Sequence, residues 1–258
     1  MGRDAQVRAL MVAEGSGGHL IPALQVAGAL ARGGVAVKVW YPQRPQMAML
    51  TEALARDATS ARVEVEPIRL SPGAGVVGRF RQSVELWRRA QRCFAVFSPD
   101  VVVGFGGWAS VPVILAAHRR GVACLLHEQN VTMGLANRLL ARWVDRVAVS
   151  FPATQALVQG RPSLVTGMPV RERIGCCPRT QAAARFGFTA ERPTLLVLGG
   201  SQGARAINRM MLEAIPLLSE HERRHWQVVH ITGPGDADPV RAVYDAAGLT
   251  AWVAPFLY

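Results

Sequence analysis

The sequence predicts an α/β protein built on parallel sheets, and three observations lead there. Short, nearly continuous apolar runs alternate with longer amphipathic ones from residue 7 to the last few positions. Glycine-rich turns follow directly on several of the apolar runs, around 15–18, 104–107 and 199–203. The apolar runs themselves are mostly unbroken Val, Leu and Ile, as expected of strands covered on both faces rather than on one. Strand–helix alternation of this kind lays successive strands side by side in parallel, with helices as the crossovers.

Taken in order, residues 7–13 form the first apolar run, closed by a glycine turn, and 20–32 follow at helical spacing. Residues 35–41 are β-branched and apolar, 47–56 return to helical composition, and 62–70 alternate like a strand. A long helix is predicted over 79–97, where Phe80, Val84, Trp87, Ala90 and Phe94 recur every three or four residues. Then come a strand at 101–104, a helix at 111–120, a strand at 123–127, a helix at 135–144 and a strand at 147–150. Residues 168–178 carry Pro169, Pro178, several charges and no periodicity, which reads as a connection. Beyond it lie a strand at 194–198, a helix at 202–218, a strand at 227–232, a short helix at 239–247 and the start of a strand at 252–257. The expected organisation is a first domain over 1–167, a connection over 168–180 and a second domain over 181–258. Three strands fall short of the usual dimensions of a doubly wound sheet, so the second domain is expected to be incomplete.

With 258 residues, 50% hydrophobic and 18% charged, the chain can bury a sizeable core. Its net charge is +11, and Lys38 is the only lysine, so nearly all of the cation is arginine. Such a balance attracts nucleic acid, anionic lipid or phosphorylated substrates, and charge alone does not choose among them. The lack of an aromatic-plus-basic RNA motif or zinc-finger spacing argues against nucleic acid. Cys93, Cys124, Cys176 and Cys177 make no C-x-x-C, so neither a metal nor a redox motif is expected, and a reducing compartment fits. The longest uncharged stretch, 101–117, falls short of a membrane span and contains Gly104, Gly106, Gly107 and Pro112. The first residues lack the features of a signal peptide. The expectation is a cytoplasmic protein without cofactor.

Four segments carry the chemistry. Gly15-Ser16-Gly17-Gly18-His19 follows the first strand and opens a helix, whose unpaired N–H groups and positive end suit a phosphate. A dinucleotide fold is opposed by Leu20, which breaks G-x-G-x-x-G, and by Val39-Trp40-Tyr41-Pro42, where a ribose-binding acid would stand. Gly104-Phe105-Gly106-Gly107-Trp108-Ala109-Ser110 repeats the arrangement at a second strand end. His127-Glu128-Gln129-Asn130 places four polar side chains after an apolar run, where catalytic groups gather in such sheets. Gly199-Gly200-Ser201-Gln202-Gly203-Ala204 is a further anion-binding turn, in the second domain. Asp236-Ala237-Asp238, flanked by Gly233, Pro234, Gly235 and Pro239, reads as a solvated turn rather than a metal site.

In this order and at these spacings, together with Thr166-Gly167-Met168-Pro169-Val170-Arg171, the segments resemble the MurG family of cell-wall N-acetylglucosaminyltransferases (glycosyltransferase family 28). The resemblance implies a GT-B fold, two Rossmann-like domains facing a cleft. It also implies inverting transfer of N-acetylglucosamine from UDP-N-acetylglucosamine to the C4 hydroxyl of the muramyl sugar of lipid I, giving lipid II at the cytoplasmic face of the membrane. On the matching positions, Ser16, Gly17 and Gly18 contact donor sugar and diphosphate, and Asn130 the donor sugar. Arg171 meets the nucleotide, Ser201, Gln202 and Gly203 the diphosphate, and Leu257 the uracil. His19 is the first candidate for the base that takes the acceptor proton, and Glu128 the second. Val76, Val77, Phe80 and Trp87, interleaved with arginines, match the family's membrane-facing patch, which suits anionic lipid. Glu14, Ser16, Trp108, Met168 and Tyr258 depart from the family's usual Gly, Thr, Tyr, Asn and Asp. The family's next segment, with further donor contacts, is not in the sequence, so weak activity is expected of this chain alone. The alternatives are a non-catalytic acceptor- or membrane-binding fragment, or another UDP-sugar enzyme of the same fold such as an epimerase.

Overall fold

The computed structural model describes residues 6–43, 63–70, 75–158, 160–172, 174–199 and 204–257. The chain divides into two compact units, Met1–Arg171 and Glu172–Tyr258. The division falls inside the stretch read as a connection.

The first unit is a seven-stranded, wholly parallel sheet: β1 (Arg8–Val12), β2 (Ala36–Pro42), β3 (Glu64–Ile68), β4 (Val101–Gly104), β5 (Ala123–Glu128), β6 (Arg146–Val149) and β7 (Ser163–Val165). Its order is β3-β2-β1-β4-β5-β6-β7, so the winding reverses between β1 and β4. Among the described residues the helices are α1 (Gly17–Arg32), α2 (Gly75–Val96), α3 (Ser110–Arg119), α4 (Leu135–Leu140) and the short α5 (Pro152–Gln155). Successive strand side chains point to opposite faces, and the core divides accordingly. Leu10, Val12, Trp40 and Val102 pack with Leu86, Ala90 and Phe94 of α2 and with Ile114 of α3. Ala9, Met11, Val37, Val39 and Tyr41 pack with Leu20, Ala23, Leu24 and Ala27 of α1. Both faces are covered, which is why these strands are largely apolar, with Arg8 and Lys38 the exceptions in β1 and β2.

The second unit begins with α6 (Arg179–Arg185). Its sheet is β10-β9-β8, parallel, from β8 (Thr194–Leu198), β9 (Gln227–Ile231) and β10 (Ala251–Ala254), with α7 (Arg205–Ala214), α8 (Glu220–His225) and α9 (Ala237–Ala246). Its core joins Val197, Val228 and Val253 to Ile215, Val240, Tyr244 and Leu249. Among the described residues β8 pairs only with β9, and Leu195, Leu196 and Leu198 stay exposed along it.

Several boundaries differ from expectation. The long helix starts at Gly75 rather than 79, because residues 75–78 continue its turn although their side chains make little core. The helix expected over 135–144 is α-helical only to Leu140 and tightens into a 3-10 turn at Ala141–Trp143. The helix expected over 202–218 is α-helical over Arg205–Ala214. It gives way to a 3-10 turn at Ile215–Leu217, where Pro216 lacks the N–H that the helix needs. Helix α8 was not expected, although its start was legible. Ser219 Oγ accepts from Glu222 N while the Glu222 carboxylate accepts from Ser219 N, a capping box written as Ser-x-x-Glu. The helix expected over 47–56 lies outside the described residues.

Candidate active site

In an open parallel sheet the crevice forms at the carboxyl ends of the strands where winding reverses, because the crossovers on either side leave in opposite directions. Here that point is between β1 and β4. The two glycine-rich turns of the first unit occupy it, one after each of these strands.

The first turn leads into α1. Ser16 is the N-cap, with extended backbone, but its hydroxyl makes no cap bond; Oγ lies 2.7 Å from Nδ1 of His19. His19 N and Leu20 N both reach Ser16 O, and α1 has no acidic residue in its first turn. Gly17 and Gly18 thus stand at the positive end of a 16-residue helix. The second turn needs its glycines for conformation: Gly106 and Gly107 have φ of +84° and +80°, a region that costs other residues energy. Space matters equally. A Cβ on Gly106 would meet His19 Cδ2 at 3.0 Å and Nε2 at 3.2 Å, so the imidazole lies against this backbone. Ser110 Oγ, shared between Gly106 O (2.9 Å) and Val12 O (3.3 Å), ties the second turn to the end of β1.

The tetrad after β5 forms the third side. Glu128 is buried, and its carboxylate accepts four N–H groups: Asn130 N and Nδ2 on Oε1, Gly134 N and Asn137 Nδ2 on Oε2. Gln129 Nε2 donates to Phe105 O, joining the tetrad to the second glycine turn. Asn137 Nδ2 also reaches His127 O, and Thr154 Oγ1 lies 2.9 Å from both Asn130 O and Val131 O. The His127 ring packs 5.5 Å from that of Phe105, with Nε2 3.3 Å from Gly167 O. Burial pushes its pKa below the ordinary histidine value, opposed by the Gly167 carbonyl and the Glu128 charge. His127 Nδ1, Gln129 Oε1 and Asn137 Oδ1 are buried without a protein partner. Three buried polar atoms left open beside one loop mark a place where water or ligand completes the bonding.

Of the residues singled out in the sequence, the structure brings Ser16, Gly17, Gly18 and His19 to the reversal point. Glu128 and Asn130 sit on the neighbouring loop after β5. Asn130 is exposed, with its amide N–H on Glu128. Arg171 is exposed at the end of the first unit, and Leu257 is exposed after β10. Ser201, Gln202 and Gly203 lie outside the described residues. In the second unit, Asn208 at the start of α7 donates to Thr232 O (3.0 Å) and Asp236 Oδ2 (2.8 Å), and its Oδ1 lies 3.1 Å from Nε2 of the buried His230. His230 Nδ1 meets Tyr244 OH at 3.0 Å. This network fastens the loop after β9 to the helix that follows the second unit's glycine turn. Asn137, Thr154, Asn208 and His230 were missed in the sequence, because each is a single polar residue in an otherwise ordinary element.

The apolar patch is narrower than the sequence suggested. Val76, Val77 and Phe80 are 83%, 81% and 71% exposed at the start of α2. Trp87 instead lies half-buried against the core, under the Arg119 guanidinium at 5.5 Å, since it flanks the face that Leu86 and Ala90 present inward. Beside the patch, Phe80, Arg81, Val84, Arg88 and Arg92 line a groove of 540 Å³. Among the described residues no helix is long and apolar enough to cross a membrane.

Comparison with known proteins agrees with this geometry. The glycosyltransferase family 28 N-terminal domain matches residues 9–149, and the family's C-terminal domain matches 194–258. A UDP-N-acetylglucosamine–N-acetylmuramyl-(pentapeptide) pyrophosphoryl-undecaprenol N-acetylglucosamine transferase of Rhodospirillum rubrum is 38% identical over 98% of this chain and 64% of its own length. The enzyme of the same name from Pelobacter propionicus is 34% identical over 97% of this chain and 70% of its own. The chain thus spans about two thirds of the length of these relatives. The crystal structure of MurG from Acinetobacter baumannii superposes with a TM-score of 0.67 at 26% identity, covering 97% of this chain and 68% of that one. A UDP-GlcNAc 2-epimerase from Neisseria meningitidis, also at 0.67, is only 14% identical and shares the fold alone. The parallel-sheet architecture is that of the GT-B class. With both of its domains matched and relatives above 30% identity covered over two thirds of their length, the chain belongs to the MurG family within glycosyltransferase family 28.

Proposed function

We propose that the chain forms the acceptor-side unit and part of the donor-side unit of an inverting N-acetylglucosaminyltransferase. Its substrates in this reading are UDP-N-acetylglucosamine and lipid I, and its product is lipid II. The observation that carries the reading is the pair of glycine turns at the winding reversal with His19 between them, in a chain of this family. The acceptor's C4 oxygen attacks the anomeric carbon of the donor sugar while the bond to the β-phosphate oxygen of UDP breaks, which inverts the centre. His19 takes the acceptor proton. In the tautomer that places the proton on Nδ1, 2.7 Å from Ser16 Oγ, the lone pair stands on Nε2 and can take that proton.

Glu128 is the weaker base candidate on this geometry, because all its acceptor capacity goes to four N–H groups of its own loop and of α4. Its role in this reading is to hold Asn130 where the donor sugar comes. Charge on the departing diphosphate is met by helix N-termini rather than by a metal. Arg171, Ser201, Gln202, Gly203 and Leu257 are the proposed nucleotide contacts. Val76, Val77 and Phe80, beside Arg81, Arg88 and Arg92, form the proposed contact with an anionic membrane at its cytoplasmic face.

The test is turnover of UDP-N-acetylglucosamine with a soluble short-prenyl lipid I analogue, the product identified by mass. Replacing His19 by Ala is expected to lower transfer by about 100-fold with UDP-N-acetylglucosamine binding retained. Undiminished transfer by that variant would refute the role of His19. Consumption of the UDP-sugar by epimerisation, without transfer, would refute the transferase reading.

A further inference from the structure

The four cysteines fall into two kinds. Cys93 of α2 and Cys124 of β5 are buried. Burial pushes both thiols up, Cys124 to about 12, so they stay protonated. The thiolate is the reactive form of cysteine, and these two are therefore inert. Cys176 and Cys177 are adjacent in the chain and both exposed, near the start of the second unit. The transfer reaction proposed above does not use them.

Their surroundings are open. From 171 to 178 the described residues belong to no helix or strand. Gly175, directly before the pair, has φ of +82° and nothing within 4 Å of where a Cβ would stand. Across this turn Cys176 Sγ donates to Glu172 O at 3.1 Å. Cys177 Sγ donates to Pro178 O at 3.6 Å and to Gln181 Oε1 at 3.7 Å. Residues 171–179 carry Arg171, Arg173 and Arg179 against the single acid Glu172, a balance that attracts anionic reagents. Thiols on consecutive residues also meet each other at an effective concentration that no dissolved thiol matches.

We propose that Cys176-Cys177 is a redox-modification site whose reactant is a small anionic disulfide and whose product is a disulfide between the two adjacent residues. One cysteine gives up its proton, and its thiolate attacks a sulfur of the small disulfide. That S–S bond breaks, the departing thiolate takes a proton, and a mixed disulfide stands on the protein. The neighbouring thiolate then attacks the protein-side sulfur and expels the second small thiol. The pair loses two electrons and two protons, and the small disulfide gains them. Neither sulfur donates afterwards, so Glu172 O and Gln181 Oε1 each lose an S–H that they now accept. In a reducing pool the pair rests as two thiols, its state in this structure. A disulfide closed in so small a ring is readily reduced by excess thiol, which makes the modification reversible. The site stands independently of the transferase reading.

The experiment treats the reduced 258-residue chain with glutathione disulfide, blocks the remaining thiols with N-ethylmaleimide, and weighs the tryptic peptide 174–179. The peptide is expected to lose two hydrogens and to keep no glutathione, while Cys93 and Cys124 stay free until the chain is denatured. Cys176→Ser and Cys177→Ser, at exposed positions and unfolding at the parent's temperature, are expected to stop at the mixed disulfide. They should retain at least tenfold more glutathione on 174–179 than the parent. A second measurement uses phenylarsine oxide, whose arsenic takes both sulfurs with loss of water. The parent is expected to bind it tenfold or more tighter than either variant. Glutathione retained equally by parent and variants overturns the proposal, as does a parent that glutathione disulfide leaves unmodified. Modification of Cys93 or Cys124 at the same rate overturns it as well. Equal arsenical affinity in the parent and both variants does so too, since the two thiols would then act separately.

Discussion

Replacement of Gly107 by Ala tests how closely the loop after β1 is fitted to the loop after β4. Two costs add at this position. The backbone has φ of +80°, where an L side chain is penalised by about 1–2 kcal/mol. The new methyl would also stand 2.5 Å from Glu14 Cβ and Oε2, well inside contact distance, and such overpacking costs a further 1–3 kcal/mol or so. Gly121 provides the control: its φ is +69°, but nothing lies within 4 Å of where a Cβ would stand there, so Gly121→Ala bears the backbone cost alone. The measurement is urea unfolding of the first unit, followed by the fluorescence of its tryptophans. Gly107→Ala is expected to lose about 2–5 kcal/mol and Gly121→Ala about 1–2. Combining Gly107→Ala with Glu14→Gly removes the obstructing atoms and should restore the overpacking share, a coupling of roughly 1–3 kcal/mol. Equal losses at 107 and 121, or a double variant as unstable as the sum of its parts, would refute the fit.

Three further outcomes are expected. Glu128→Gln turns an amide NH₂ toward two of the four N–H donors that the carboxylate now accepts, and should cost about 2–4 kcal/mol; amide exchange at Asn130 and Gly134 that stays as slow as in the parent would contradict it. Burial holds His230 below its ordinary pKa, so its neutral form favours folding. The second unit should keep that stability above pH ~6.5 and lose it as pH falls from there toward the folded-state pKa, and His230→Gln should flatten this slope in pH-dependent denaturation. Phe80→Glu, at a residue 71% exposed beside a cationic groove, should reduce co-sedimentation with anionic vesicles by about tenfold, and undiminished binding would remove α2 from the proposed membrane face.

Much of the fold was legible because its signals are local. The apolar runs at β1, β2, β4 and β5 are continuous since both faces of each strand are covered, and the glycines after β1 and β4 stand where the chain turns sharply into a helix. The Ser-x-x-Glu of α8 and the break at Pro216 are equally local signals. The candidate site was legible as a set of segments, and His19, Ser16 and the tetrad could be named from turn chemistry and polarity.

What the sequence alone determined, then, was the alternation of strands and helices and the positions of the glycine-rich turns, because periodicity and turn chemistry depend on neighbours within a few residues. Tertiary structure decided which turns share a crevice, through the reversal of winding between β1 and β4. It also decided that Glu128 spends its carboxylate on its own loop and on α4, that Trp87 turns toward the core, and that Glu14 lies along Gly107. Each of these depends on side chains distant in the chain meeting at a particular distance and angle. No local pattern encodes such a meeting, because it is set by the packing of the whole sheet and its helices.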